Sequence, residues 1–192
     1  MNVLIAGGSG LLGRQITKIL IEQGHNVGWL TRTIKSESDN IKQYQWNPSE
    51  KQVDQTAIDW SDAIINLAGE SIGEVSWTTS GKERILGSRI DSVRVLADAI
   101  YKRTTPLTSF VGVSGAGYYG SSSIPKKETD QAGSDFPATV ALKWETEYHK
   151  IQESKPEHFA ILRLAVVLSM EGGALPKIVQ PIQWGIGSSL GT

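Results

Sequence analysis

The sequence predicts an α/β fold, a doubly wound parallel sheet with helices on both faces. Three observations carry that expectation. Short apolar runs alternate with longer amphipathic segments along the whole chain, the order that builds parallel strands joined by crossover helices. The first apolar run meets a glycine-rich turn within a few residues, because residues 2–13 read N-V-L-I-A-G-G-S-G-L-L-G. The segment after that turn repeats its apolar side chains at helical spacing and stops at Gly24, so strand, turn, helix and next strand fit one βαβ unit.

Taken in order, Val3, Leu4, Ile5 and Ala6 form the buried strand. Gly7, Gly10 and Gly13 follow with the spacing G-x-x-G-x-x-G. A glycine at 7 can adopt a backbone angle closed to other residues, one at 10 lets a bulky ligand approach, and one at 13 lets the helix pack on the strand. The bare amides and dipole of the helix start suit a diphosphate, which makes Gly7, Ser9, Gly10, Leu11, Leu12 and Gly13 candidate cofactor-binding positions. A purely structural turn is the alternative. Leu11, Leu12, Ile16, Ile19, Leu20 and Ile21 form the helical stripe, and a second strand spans 25–31.

The residues after that second strand select the cofactor. An acidic residue there would bind the adenosine ribose of NAD; this chain has Thr31, Arg32 and Lys35 instead, and Asp39 is too far along. A guanidinium without a carboxylate suits a 2′-phosphate, so NADP is favoured over NAD, the alternative being that Arg32 is a solvated charge. Tyr44, Gln45 and Trp46 form a short strand ended by Asn47-Pro48, and residues 57–62 a short helix or turn. The strand over 62–67 is followed by Ala68-Gly69, small residues that with Leu67 at a strand's C-terminal end let the backbone pass near a cofactor ribose, a plain turn being the alternative.

A Ser/Thr-rich loop over 71–81 leads to the longest helical pattern, 82–102, with Arg84, Arg89 and Arg94 mostly on its solvated side, one of them within reach of a ligand as the alternative. The strand over 108–114 delivers Ser114 to the ligand end of the sheet, followed by Tyr118 and Tyr119 in a glycine-rich loop. A helix over 136–153 has Pro137 in its first turn and carries Lys143; a strand over 158–168 contains Arg163; a last helix covers 175–184.

With 192 residues, the chain fits one domain of ordinary size. Its 19 basic and 20 acidic residues leave a net charge of −1, so no field draws it to nucleic acid or a membrane, and a small-molecule substrate is the expected partner. Cysteine is absent, which excludes disulfides and thiolate metal sites; His25, His149 and His158 match no metal-ligand spacing, so no metal site is expected. Neither a signal peptide nor an apolar run of about 20 residues is present, which leaves the cytoplasm as the expected location.

Together Gly7, Gly10, Gly13, the Asn66-Leu67-Ala68-Gly69 stretch, Ser114 and Lys143 resemble the short-chain dehydrogenase/reductase superfamily in its extended branch, built on a Rossmann-type domain. A closer likeness is to an atypical subfamily of NAD(P)-dependent sugar-nucleotide epimerases, some of them labelled cell-division inhibitors. It is carried by Glu70 after that stretch, Gly87-Ser88-Arg89, Gly117-Tyr118-Tyr119-Gly120, Lys143-Trp144-Glu145 and Gly172-Gly173-Ala174-Leu175. The resemblance implies an NADP-dependent oxidoreductase or epimerase acting on a small hydroxyl- or carbonyl-bearing substrate such as a nucleotide sugar, and a homodimer. It makes Ser114 an orienting hydroxyl or a turn cap, and Lys143 a ribose ligand or a surface charge.

The chain departs from the superfamily in two ways. The catalytic pair Tyr-x-x-x-Lys is broken, since Thr139 stands four residues before Lys143, and a threonine hydroxyl is too weak an acid for that role. Tyr118 or Tyr119 would substitute, unless both only pack the loop. The subfamily itself generally lacks this tyrosine. The resemblance also divides the chain into a Rossmann domain over 1–170 and, over 171–192, the start of a truncated substrate-binding part. A catalytically weak dinucleotide-binding module, serving as redox sensor or partner-binding protein, is the second expectation.

Overall fold

The computed structural model describes residues 1–35 and 41–187; Asp39 and the Gly/Ser tail from 188 onward lie outside the described residues. The elements are β1 (Asn2–Ala6), α1 (Leu11–Glu22), β2 (Asn26–Thr31), β3 (Lys42–Asn47), β4 (Gln52–Val53), α2 (Gln55–Trp60), β5 (Ala63–Asn66), α3 (Thr79–Tyr101), β6 (Ser109–Gly115), α4 (Phe136–Gln152) and β7 (His158–Leu164). A hairpin, β8 (Leu168–Ser169) with β9 (Gly172–Gly173), and α5 (Ala174–Gln183) complete the described chain. The main sheet runs β4-β3-β2-β1-β5-β6-β7 and is parallel except for β4. Strand order therefore reverses between β1 and β5, and in such sheets ligands bind at the carboxyl ends of the strands beside that reversal.

Two apolar clusters hold the layers together. Beneath one face, Leu4, Ala6, Leu30 and Ile64 of the sheet meet Ala57 and Ile58 of α2, Val93, Leu96 and Ile100 of α3, and Trp144, Tyr148 and Ile151 of α4. Beneath the other, Val3, Ile5 and Val27 meet Ile16 and Leu20 of α1. The predicted stripe of α1 was too wide, because Ile19 and Ile21 are exposed. The outer face of β7 also stays bare at Leu162, and Val166, Leu168 and Met170 follow it on the surface.

Local chemistry moves four boundaries from those the spacing predicts. Strand β3 covers six residues instead of three, because it pairs in parallel with β2 from Gly28↔Lys42 to Thr31↔Gln45. Helix α2 starts at Gln55 because the Asp54 side chain accepts from the Thr56 amide. Helix α3 starts at Thr79, since the Thr78 hydroxyl accepts from the Gly81 amide at 3.2 Å. Strand β7 ends at Leu164, short of residue 168, and Leu168–Ser169 pairs instead with Gly172–Gly173, where Gly173 takes a φ of 76° that favours glycine.

Helices α3 and α4 are tied by Glu147, which accepts from Arg94 at 2.7 Å and faces Lys150 at 2.6 Å. Those cations hold its carboxyl below the ordinary value of 4.5, the Arg94 hydrogen bond first. A value lower in the folded than in the unfolded chain adds stability that is present above the ordinary carboxylate range and lost as pH falls through the folded value. In Glu147→Gln this part of the acid dependence should vanish, giving a shallower fall of the urea midpoint between about pH 5 and pH 3 than in the unaltered chain.

Candidate cofactor-binding site

The carboxyl ends of β1, β5 and β6 bring three loops to one edge of the sheet. The first is the glycine turn. Gly7 has φ 83°, and a Cβ there would lie 3.0 Å from the Leu67 carbonyl carbon and 3.2 Å from the Ala68 nitrogen. The turn thus lies directly on the backbone of the second predicted segment. A Cβ on Gly13 would collide with the carbonyl oxygens of Gly7 and Gly8, and one on Gly8 would fall inside the Trp29 indole. At Gly10 a Cβ would meet the Gly7 backbone oxygen at 3.2 Å, a tight contact but far less severe than those at Gly8 and Gly13.

Gly10 is also the N-cap of α1, with no side-chain cap and no acidic residue in the first turn. The amides of Leu11, Leu12 and Gly13 are therefore left without acceptors from their own helix, beside the positive end of its dipole. Arg14 donates to the Ser9 carbonyl at 2.7 Å and pins the turn. An uncapped helix start, backed by glycines that leave no side chain in the way, fits a dinucleotide diphosphate.

The second loop is held from beneath by Asn66. Its buried side chain donates to the Tyr148 hydroxyl at 3.0 Å and accepts from the Ala68 amide at 3.1 Å. The Tyr148 hydroxyl donates in turn to the Val113 carbonyl at 3.3 Å, and burial pushes that phenol well above its usual range. The Ser88 hydroxyl accepts from the Glu70 amide at 3.0 Å, and Glu70 pairs with Arg84. Arg89, expected on the solvated side, is buried: it lies against Gly69 and over the Trp144 ring at 5.1 Å, and burial lowers its pKa from the ordinary guanidinium range. Spacing alone places it inward, since 85, 89, 93 and 96 fall on one face of a helix.

The third loop carries the hydroxyls. Ser114 shares the inner face of β6 with Phe110 and Gly112. Its Oγ is buried and has no hydrogen-bond partner among the described residues. Tyr118 and Tyr119 occupy a 3-10 turn, Ala116–Tyr119, with their rings 5.3 Å apart. Arg163 of β7 organises this turn: it makes two 2.8 Å bonds to Glu145 of α4, donates to the Tyr119 hydroxyl at 2.7 Å and to the Glu128 carbonyl at 3.0 Å, and sits 3.5 Å over the Tyr118 ring. Glu145 raises the Arg163 pKa further above the ordinary range. The sequence showed Arg163 and Glu145 without showing that they meet.

Lys143 lies elsewhere. Exposed on α4, it lines an open groove of about 500 Å³ with Glu83, Asp91 and Thr146. No residue of the glycine turn or of the Ser114 loop lines that groove. The cause is helical phase, because Trp144 and Tyr148 turn inward and residue 143 then faces α3. Thr139 spends its hydroxyl on the Asp135 carbonyl of its own helix, at 2.9 Å. At the end of β2, Thr31 bonds to Thr33, and Arg32 and Lys35 are exposed. Among the described residues no group of three or more His, Cys, Asp or Glu is arranged to hold a metal, and no helix is long and apolar enough to cross a membrane.

A six-stranded parallel core in this order, with an uncapped glycine turn at its reversal point, defines a Rossmann-type nucleotide-binding fold. Residues 3–168 match the model of the NAD dependent epimerase/dehydratase family, and the chain belongs to that family. It is 35% identical over 195 residues to the epimerase family protein YfhF of Bacillus subtilis, covering 100% of this chain and 63% of that protein. It is 30% identical over 196 residues to the epimerase family protein SDR39U1 of Homo sapiens, again covering 100% and 63%.

Among solved structures, human SDR39U1 (isoform 2) with NADPH superposes with a TM-score of 0.84 at 29% identity, over 100% of this chain and 63% of that one. A nucleoside-diphosphate sugar epimerase from Corynebacterium glutamicum gives 0.82 at 30%, over 100% and 39%. The chain thus spans somewhat less than two thirds of the length of these curated relatives, and the resemblance read from its motifs holds at the level of the extended epimerase family.

Replacing Arg163 with Met would leave Glu145 uncompensated and the tyrosine turn unpinned. We expect a stability loss of about 2–4 kcal/mol, together with faster limited proteolysis between residues 116 and 133, read by mass spectrometry of the fragments.

Proposed function

We propose that the chain binds NADP(H) at the β1/β5 reversal point and belongs to an oxidoreductase or epimerase acting on a small hydroxyl- or carbonyl-bearing substrate, a nucleotide sugar being the class implied by the family. The observation that carries this reading is the uncapped start of α1, with Gly7 resting on the Leu67–Ala68 backbone. Gly7, Ser9, Gly10, Leu11, Leu12 and Gly13 would hold the diphosphate, and Leu67, Ala68 and Gly69 would pass beside the ribose. Thr31, Arg32 and Lys35 would meet the 2′-phosphate. The NADPH in the human SDR39U1 structure supports the choice of cofactor.

The nicotinamide, when bound, supplies hydride transfer. The chain's own part is to place the substrate and handle a proton, and we assign that to the hydroxyls of Ser114, Tyr118 and Tyr119, with Arg163 holding Tyr119. Lys143, on the α3 side, is left out of the assignment. The hairpin from residue 168 supports reading 171 onward as the start of a substrate part: Gln15 of α1 donates to Glu171 at 2.9 Å, and a groove of about 600 Å³ opens between residues 71–74 and α5. A cytoplasmic location and a homodimer belong to the same reading.

One observation favours the second reading, a dinucleotide-binding module with weak turnover. The Thr139 hydroxyl is committed to its own helix, and Lys143 lines a groove that no residue of the tyrosine loop lines. NADPH titration followed by turnover assays over a panel of sugars and carbonyls separates the two, since tight binding with no turnover selects the module.

Two substitutions test the site. Gly10→Val places a side chain where the diphosphate would lie, with one tight contact to the Gly7 oxygen, so it should fold with a lowered thermal midpoint yet abolish NADPH binding in a fluorescence titration; unchanged affinity in the folded variant would remove the diphosphate assignment. Ser114→Ala removes a buried hydroxyl that has no described partner, so its thermal midpoint should stay level or rise, whereas any turnover should fall by about 10²-fold or more.

A further inference from the structure

Strand β3 alternates two kinds of side chain. Tyr44 and Trp46 are buried in the cluster beneath the sheet, and Gln43 and Gln45 take the opposite face. Gln45 Nε2 donates to the Arg32 carbonyl at 2.8 Å, and Gln43 Oε1 accepts from the Lys35 amide at 2.9 Å. The Thr31 hydroxyl, meanwhile, donates to the Thr33 carbonyl at 2.9 Å and accepts from the Thr33 amide at 3.3 Å. The backbone from 31 to 35 is thus fastened at three points. The side chains of Arg32 and Lys35 are exposed and form no salt bridge among the described residues.

We propose that Gln43 and Gln45 are positioning residues for cofactor choice: they bracket the Arg32–Lys35 segment as a preformed receptor for a phosphate monoester, the 2′-phosphate of NADP. This rests on the cofactor reading above. A loop ordered before the ligand arrives loses less conformational freedom on binding, so more of the charge-assisted contact energy appears as affinity. The chemistry of the bracket suits an anion. An amide can both donate to a carbonyl and accept from an N–H, and it does so without a charge that would repel the phosphate or neutralise the two cations. A carboxylate at 45 could not donate to the Arg32 carbonyl at all.

The test is the ratio of NADPH to NADH affinity, by fluorescence titration, in the unaltered chain, Arg32→Ala, Gln43→Ala, Gln45→Ala and Gln45→Glu, with thermal midpoints recorded for each. The unaltered chain should prefer NADPH, and Arg32→Ala should erase the preference. Each alanine variant at 43 or 45 should weaken NADPH about fivefold, the size of one neutral hydrogen bond, with NADH within about twofold of the unaltered value. Gln45→Glu should weaken NADPH further, and it serves where Gln45→Ala does not fold. Equal losses for both cofactors, or none, while Arg32→Ala still erases the preference, would overturn the bracket and leave the cofactor reading standing. An unaltered chain that binds both cofactors equally would overturn the cofactor reading and the bracket with it.

Discussion

The side-chain amide of Asn66 is the constraint on which the ligand end of this fold depends. It sits fully buried at the end of β5, tied to Tyr148 of α4 and to the Ala68 amide. A buried amide left unsatisfied is costly, so the three elements it joins cannot shift independently. Because Asn66 fixes where residues 67 and 68 run, it also fixes the surface on which Gly7 rests, and through Gly7 the aim of α1. The geometry of the glycine turn on one side of the sheet is thereby set by a polar contact reaching through to the other.

Charge plays the matching role at the tyrosine turn. Arg163 and Glu145 are 18 residues apart in the chain, and their side chains are 18% and 11% exposed. That burial keeps the bidentate pair from being screened as a surface pair would be. The same guanidinium supports both tyrosines, so the loop's shape follows from an ion pair seated in the adjoining strand and helix.

Much of this was legible in the chain, and the limits are instructive. The glycine turn, the small residues after β5 and Ser114 at the end of β6 could be found because strand ends and turns are written locally, in a few adjacent residues. The helix phases are harder. The charge of Arg89 suggests solvent although its spacing from Ile85 and Val93 points inward. The motif around Lys143 leaves a ribose ligand and a surface charge equally open, whereas the inward turn of the neighbouring Trp144 is what sets residue 143 toward α3. The contacts of Arg163 with Glu145, Glu128 and Tyr119 span 18 to 44 residues, and no local pattern encodes pairings of that kind. The bracket from β3 shared the difficulty, since its glutamines matter through strand register and not through any motif.

The indole of Trp29 closes the inner side of the glycine turn, stacked where a side chain on Gly8 would otherwise stand and anchored by its Nε1 to the Thr17 hydroxyl at 2.8 Å. Indole emission responds to nearby charge and water. The protein therefore carries a native optical label packed against the very turn that would receive the diphosphate, and with the other five of its six tryptophans replaced its emission would follow occupancy there without any added dye.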